Sequence, residues 1–155
     1  MLPILPSLVS TAMALIALYF TIRHFKTVRT VSYIERMNHP NMADIRACVD
    51  KWLNSGRTDE ERLSEIRNDP SLNARVRVFY NTLTELAIAY RYGTINRKMT
   101  IDIWDPLIPK YWEKLRFHIN GSRAAGEEMG HNLEYLAHEF EKRRGKSFTF
   151  KTDPP

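Results

Sequence analysis

The first 22 residues of this chain lack charged side chains, and the whole chain has little cysteine and little glycine. Its one cysteine, Cys48, cannot form an internal disulfide, which agrees with a reducing, cytoplasmic compartment. Apart from the C-terminal tail, no stretch has the alternation of apolar and polar residues that is typical of strands. These absences exclude a disulfide scaffold and a sheet-based fold, and they leave the uncharged run as the most informative feature.

The uncharged run, residues 1–22, is predicted to be a transmembrane anchor. An α-helix rises about 1.5 Å per residue, so such a run covers roughly the 30 Å of hydrocarbon in a bilayer. Pro3 and Pro6 fit a helix that begins near Pro6, because proline is tolerated in the first turn. Two alternatives are a buried core helix and a cleavable signal peptide, although a signal peptide carries its basic residues before the apolar run.

A basic cluster follows the apolar run directly and predicts its orientation. We expect Arg23, Lys26 and Arg29 to lie at the cytoplasmic membrane surface, because positive residues prefer that side. The chain would then cross the cell inner membrane once, with its N-terminus outside. We therefore divide it into an anchor with its basic segment at 1–32, a cytoplasmic helical domain at 33–145, and an extended or disordered tail at 146–155.

Small residues recur along one face of the predicted anchor, three and four residues apart. Small side chains let membrane helices approach closely, and this contact drives their association in lipid. The spacing predicts a packing seam for another membrane protein or for a second copy of this chain, although small residues are also common in any membrane helix. The seam consists of Ser7, Ser10, Ala14, Ala17 and Thr21.

The domain behind the anchor is almost neutral. The chain has a formal net charge of +5, but three of its positive charges belong to the cluster after the apolar run. From Tyr33 onward, 20 basic residues face 18 acidic ones. Nucleic-acid binding usually needs a concentrated basic face, so no nucleic-acid partner is expected.

The predicted fold class is all-α: one transmembrane helix followed by a cytoplasmic bundle of four or five helices. Apolar residues recur at helical spacing through the domain. Thr58 and Glu61 form the sequence pattern of a capping box, and Gly93 and Gly121 are expected to end helices. The predicted helices cover 42–54, a short segment after Thr58, 71–92, 101–120 and 127–144.

Three blocks between Asn73 and Ala137 resemble a poorly characterised bacterial family of domain-of-unknown-function proteins, many of which have one N-terminal membrane helix and a small helical domain. The resemblance covers roughly half of the chain. It implies one helical domain after the anchor and no particular activity. The blocks are Asn81, Glu85, Ala87, Tyr90, Gly93 and Ile95, then Trp112 with Arg123, and finally Glu134-Tyr135-Leu136-Ala137.

One charged pair within these blocks is a candidate for either structure or binding. Glu85 is expected to pair with Arg123 from a later helix and to brace the bundle. The functional alternative is a small ligand pocket around Glu85, Arg123 and Tyr90.

No residue pattern indicates catalysis, and neither a metal nor a cofactor is expected. Glu128 and His131 have the Glu-x-x-His spacing of di-iron bundles, but those sites need a second such motif and two further carboxylates. We therefore predict a non-catalytic, single-pass accessory subunit of a bacterial membrane protein complex. The alternative is a membrane-tethered sensor or regulator with a small ligand pocket, and an enzyme is the least favoured of the three.

Overall fold

A computed structural model of the chain describes residues 4–126 and 129–143, with side chains from Leu8 onward. Within these ranges the chain forms seven helices and no strand, so the predicted all-α class is confirmed. The predicted tail at 146–155 lies outside the described residues. The helices are α1 (Ile4–Asn38), α2 (Pro40–Leu53), α3 (Asp59–Asn68), α4 (Pro70–Arg91), α5 (Arg97–Trp104), α6 (Leu107–Ala124) and α7 (His131–Arg143).

Helix α1 is a single rod of 35 residues. No glycine or proline interrupts the sequence between Pro6 and Pro40, so nothing ends the helix earlier. Its outer part, from Leu8 to Phe25, is exposed throughout. Its inner part packs on the domain, where Thr30 is fully buried and Met37 is 4% exposed. The same helix therefore has an uncovered apolar half and a half that belongs to the core.

The starts of α2 and α3 follow from local capping. His39 leaves the helical conformation, and its ring accepts a hydrogen bond from the Asn41 backbone N–H, while Pro40 takes the first position of α2. The predicted capping box opens α3: the Thr58 hydroxyl accepts from the Glu61 N–H, and the Glu61 carboxylate accepts from the Thr58 N–H at 2.8 Å.

Helix α4 is the centre of the bundle and contacts α2, α3 and α7. Its apolar face is buried along its length, and the neighbouring helices supply aromatic rings. The rings of Phe79 and Tyr111 pack edge-on at 4.7 Å between centroids, and those of Tyr90 and Phe140 at 5.9 Å. The Tyr111 hydroxyl donates to the Asp50 carboxylate at 3.0 Å, which ties α6 to α2.

The single helix predicted at 101–120 is wrong, because two helices occupy this region. Helix α5 begins at Arg97, and the chain turns at Asp105 and Pro106 before α6. Pro106 has no N–H to continue the hydrogen-bond ladder of α5. Gly121 does not end α6 either: it lies inside the helix, where a Cβ would be 3.6 Å from the Leu63 side chain. Six described helices therefore follow α1.

Helix α7 begins at His131, not at residue 127 as predicted. Residues 127 and 128 lie outside the described residues. Gly130 has φ +89°, a left-handed conformation that an α-helix does not contain, and its carbonyl accepts the first bond of α7 from the Glu134 N–H. A Cβ at Gly130 would lie 2.5 Å from Ile119 Cγ2. This position therefore needs glycine for its backbone and for its contact with α6.

We predict that Gly130→Ala lowers the free energy of unfolding by about 2–4 kcal/mol, because left-handed strain adds to overpacking against Ile119. The matched control is Gly126→Ala. Gly126 has φ +87°, but no atom of the described residues lies within 4 Å of the added methyl group, so it should cost only about 1–2 kcal/mol. Urea unfolding of the full chain in mild detergent measures both values. Equal losses in the two variants would contradict the close contact.

Candidate functional site

A set of polar contacts joins α1 to the domain. Thr30 and Asn96 are 66 residues apart in sequence, and the Asn96 backbone N–H donates to the Thr30 hydroxyl at 2.9 Å. The Asn96 side-chain amide also reaches the Thr27 hydroxyl at 3.5 Å. We call Thr27, Thr30 and Asn96 the α1 clamp. It begins within the segment that the sequence assigns to the anchor, so the domain contacts extend N-terminal to residue 33.

Each polar group of the α1 clamp is satisfied by local structure. The Thr30 hydroxyl donates to the Lys26 carbonyl at 2.7 Å while it accepts from Asn96. Asn96 caps α5, because its side-chain oxygen accepts from the Met99 N–H at 3.2 Å. Asn96 therefore both caps α5 and binds α1. The capping pattern is visible in the sequence, but the contact with Thr30 is not.

Glu85 pairs with Arg36 of α1, at 2.5 Å, and not with Arg123 as predicted. The absence of glycine and proline before Pro40 predicts that α1 continues past the apolar run, but it does not predict that α1 lies beside α4 and brings Arg36 to Glu85. Both side chains are about half exposed, so the pair contributes at most about 1 kcal/mol.

Arg123 does brace the bundle, but through a different carboxylate. It pairs with Glu134 at 2.8 Å, and its Nε donates to the Met129 carbonyl at 2.7 Å. Because the connection from α6 to α7 is short, the first turn of α7 is within its reach. Arg123 therefore fixes the α6–α7 connection.

Tyr90 is a core residue. It is 1% exposed, it packs against Phe140, and the Arg97 guanidinium lies 5.3 Å from the centre of its ring. Burial raises the pKa of its hydroxyl. Glu85 and Arg123 have partners elsewhere, so the structure does not assemble these three residues into the predicted pocket.

The predicted seam lies on the uncovered half of α1. Ser10, Ala14, Ala17 and Thr21 are exposed, and the side chain of Ser7 lies outside the described residues. The Thr21 hydroxyl donates to the Ala17 carbonyl at 2.8 Å within the helix. Arg23 and Arg29 of the basic cluster are exposed, and Lys26 is half-buried. The helix from Leu8 to Asn38 is long and apolar enough to cross a membrane, and its apolar stretch is not buried against the domain.

A groove of about 490 Å³ lies between α3, α4 and α6. Leu63, Ile66 and Tyr80 give it an apolar side. None of the described residues that line it is acidic, whereas the two smaller grooves contain carboxylates. The groove can therefore accommodate an apolar body with an anionic group. Its polar lining includes Arg67, Arg77, Asn81, His118 and Ser122.

These arrangements position helices and form a groove between three of them. Among residues 4–126 and 129–143, no three His, Cys, Asp or Glu side chains are grouped closely enough to hold a metal ion. The clamp and the Arg123 contacts join helices to each other.

Comparison with known proteins identifies one related family. The family model for Domain of unknown function (DUF4760) matches residues 7–140. This range includes both the uncovered half of α1 and almost all of the helical domain. No curated protein matches the chain, and no solved structure matches it.

We predict that Thr30→Val weakens the attachment of α1 to the domain. Valine has the shape of threonine but no acceptor, so the Asn96 N–H loses its partner at a cost of about 1–3 kcal/mol. Hydrogen exchange of the Asn96 amide in the full chain should become at least several-fold faster. Thr21→Val, which removes an exposed hydroxyl from the same helix, should leave that amide unchanged. Slow exchange of Asn96 in Thr30→Val would contradict the clamp.

Proposed function

We propose that this chain, which belongs to the family Domain of unknown function (DUF4760), is a non-catalytic, single-pass accessory subunit of a bacterial membrane protein complex. Its apolar helix would pack beside another membrane helix, and its domain would contact a cytoplasmic face of the complex. The observation that carries the proposal is the continuity of α1. The helix with the uncovered apolar half is the same helix that is buried in the core at Thr30.

This continuity favours a retained anchor over the two alternatives. A core helix would be covered, but the side chains from Leu8 to Phe25 are exposed. A cleaved signal peptide is not expected to continue as one helix into the domain, whereas α1 is continuous from Ile4 to Asn38. The basic cluster at Arg23, Lys26 and Arg29 supports an orientation with the domain in the cytoplasm of the inner membrane.

The seam supports a partner in the membrane. Ala14 and Ala17 are exposed on one face of α1, and the Thr21 hydroxyl is already bonded to the Ala17 carbonyl. A partner helix would therefore meet a small, mostly apolar surface, and contact would depend on close van der Waals packing. Larger side chains at this surface should prevent that contact.

We predict that Ala14→Leu and Ala17→Leu each release the protein from its complex in mild-detergent pull-downs. The matched control is Ala12→Leu, which adds the same volume to another face of the helix. Differently tagged copies distinguish a second copy of this chain from a different partner. Unchanged co-purification of both seam variants would contradict the seam, and loss with Ala12→Leu as well would indicate a general defect of the helix.

The groove supports a second candidate function, a membrane-tethered sensor of a small anionic ligand. Arg67 and Arg77 come from two different helices and line one cavity without a neighbouring carboxylate in the described lining. Guanidinium groups in this arrangement suit a phosphate or carboxylate. This location replaces the pocket that the sequence places around Glu85, Arg123 and Tyr90.

We predict that phenyl phosphate, which joins an apolar ring to an anion, raises the melting temperature of the full chain in neutral detergent. At a hundredfold excess over Kd, a single site adds about 2.7 kcal/mol of stability. Arg77→Ala should abolish the shift. Arg75→Ala, which removes an exposed arginine outside this groove on the same helix, should retain it. The absence of a shift in the parent chain, or an equal shift in both variants, would contradict this second function.

A further inference from the structure

We propose that residues 92–98, the connection between α4 and α5 with the first two residues of α5, form a second membrane contact that seats the helical domain on anionic lipid headgroups. This inference rests on the proposed anchoring of α1. It adds that the domain lies directly on the bilayer surface and is not suspended from it. Three observations carry it: the height of this connection along α1, the direction of α4, and the side chains that the connection exposes.

The α1 clamp fixes the height of the connection. Asn96 contacts Thr27 and Thr30, and Thr27 is four residues beyond Arg23, the first charge after the apolar run. At 1.5 Å per residue, Thr27 lies about 6 Å beyond Arg23 along the helix. The headgroup layer on one side of a bilayer is roughly 5–8 Å thick. If Arg23 marks the edge of the hydrocarbon, residues 92–98 lie at the level of the headgroups.

The direction of α4 places its C-terminal end toward the bilayer. Along α1, Thr30 contacts Asn96, and Arg36, further from the apolar half, contacts Glu85. Helix α4 therefore runs antiparallel to α1, and its C-terminal end is the end nearer to the apolar half of α1. The groove between α3, α4 and α6 has its α4 residues between Asn73 and Asn81, so it lies away from the C-terminal end of α4.

This end presents the side chains that suit an anionic membrane surface. Tyr92 is 73% exposed, more than any other large hydrophobic side chain among the described residues. Tyrosine is favoured at membrane interfaces, where its ring is partly buried and its hydroxyl stays hydrated. The Arg97 guanidinium donates to the carbonyls of Tyr90 and Arg91, at 3.2 and 3.1 Å, and so holds a positive charge at the end of α4.

Exposed basic residues lie at this end of the domain, although the domain as a whole is almost neutral. Arg91, Arg97 and Lys98 are exposed, and Arg91 also donates to the Asn132 side chain of α7 at 3.0 Å. The exposed acid Asp102 lies one turn after Lys98. Each Lys or Arg near an anionic surface favours the bound state by about fivefold in the equilibrium constant. The charge therefore favours anionic lipid over a neutral surface.

The test places a fluorophore at residue 92 in the full chain. In a Cys48→Ala background, Tyr92→Cys is labelled with an environment-sensitive dye, and the protein is reconstituted in phosphatidylglycerol–phosphatidylcholine vesicles or in pure phosphatidylcholine. Nitroxides on headgroups or on acyl chains report depth. Leu15→Cys tests the anchor separately. Ser71→Cys, at the other end of α4 and about 31 Å away along the helix, is the reference for a domain surface in water.

We expect the dye at residue 92 to be quenched by headgroup nitroxides in the anionic vesicles and much less in pure phosphatidylcholine, while the dye at residue 71 is quenched in neither. Lys98→Glu should lower the ratio of docked to undocked domain by roughly 30-fold. Lys51→Glu, an exposed charge on α2, should not change it.

The test distinguishes a failure of the docking surface from a failure of the anchor. If residue 15 is buried in lipid but residue 92 behaves like residue 71, the docking surface is wrong and the anchor stands. If residue 15 is accessible to water, the anchor fails and the docking surface fails with it. Equal quenching at residue 92 in both kinds of vesicle would overturn the assignment to anionic lipid.

Discussion

One helix must satisfy two environments, and the rest of this structure depends on that constraint. Along its 35 residues, α1 changes from a rod with uncovered apolar side chains to a core helix of the bundle. No glycine or proline relaxes the change, and the buried hydroxyl of Thr30 holds the domain at one height along the rod. Whatever fixes the apolar half in space therefore also fixes the position and orientation of the domain.

The helices of the domain are joined to α1 and to one another. Helix α4 packs against three neighbours, and the long-range polar contacts of the chain join helices to one another. Asn96 connects α5 to α1, Asp50 connects α2 to α6, and Arg123 closes the α6–α7 connection. These contacts fix the helices, and therefore the surfaces of the domain, relative to α1.

Local features of the fold could be predicted from the sequence because local contacts produce them. The capping box at Thr58 and Glu61 is formed as predicted, and Gly93 has the left-handed conformation expected after α4. The all-α class follows from the helical spacing of apolar residues. The division between α5 and α6 was not predicted: Pro106 is compatible with the start of one helix or with a kink within it, whereas it separates two helices.

The candidate site could not be predicted to the same extent, because its contacts join distant parts of the chain. The partner of Glu85 depends on where α1 lies after it leaves the apolar run, and no local pattern encodes that position. The clamp joins residues 66 apart. The small-residue seam and the basic cluster are visible in the sequence, because each is a local pattern of residue types.

The central claim is that α1 is one rigid helix from its apolar half into the domain. Spin labels at Leu15→Cys and Glu35→Cys, in a Cys48→Ala full chain reconstituted in lipid nanodiscs, test it by a pulsed electron-resonance distance measurement. Glu35 is exposed, and 20 residues of continuous helix separate the two backbones by about 30 Å. If α1 is one rigid helix, the distance distribution is single, narrow and consistent with that separation. A broad or clearly shorter distribution would show a bend or a flexible joint after the basic cluster, and it would contradict a rigid helix.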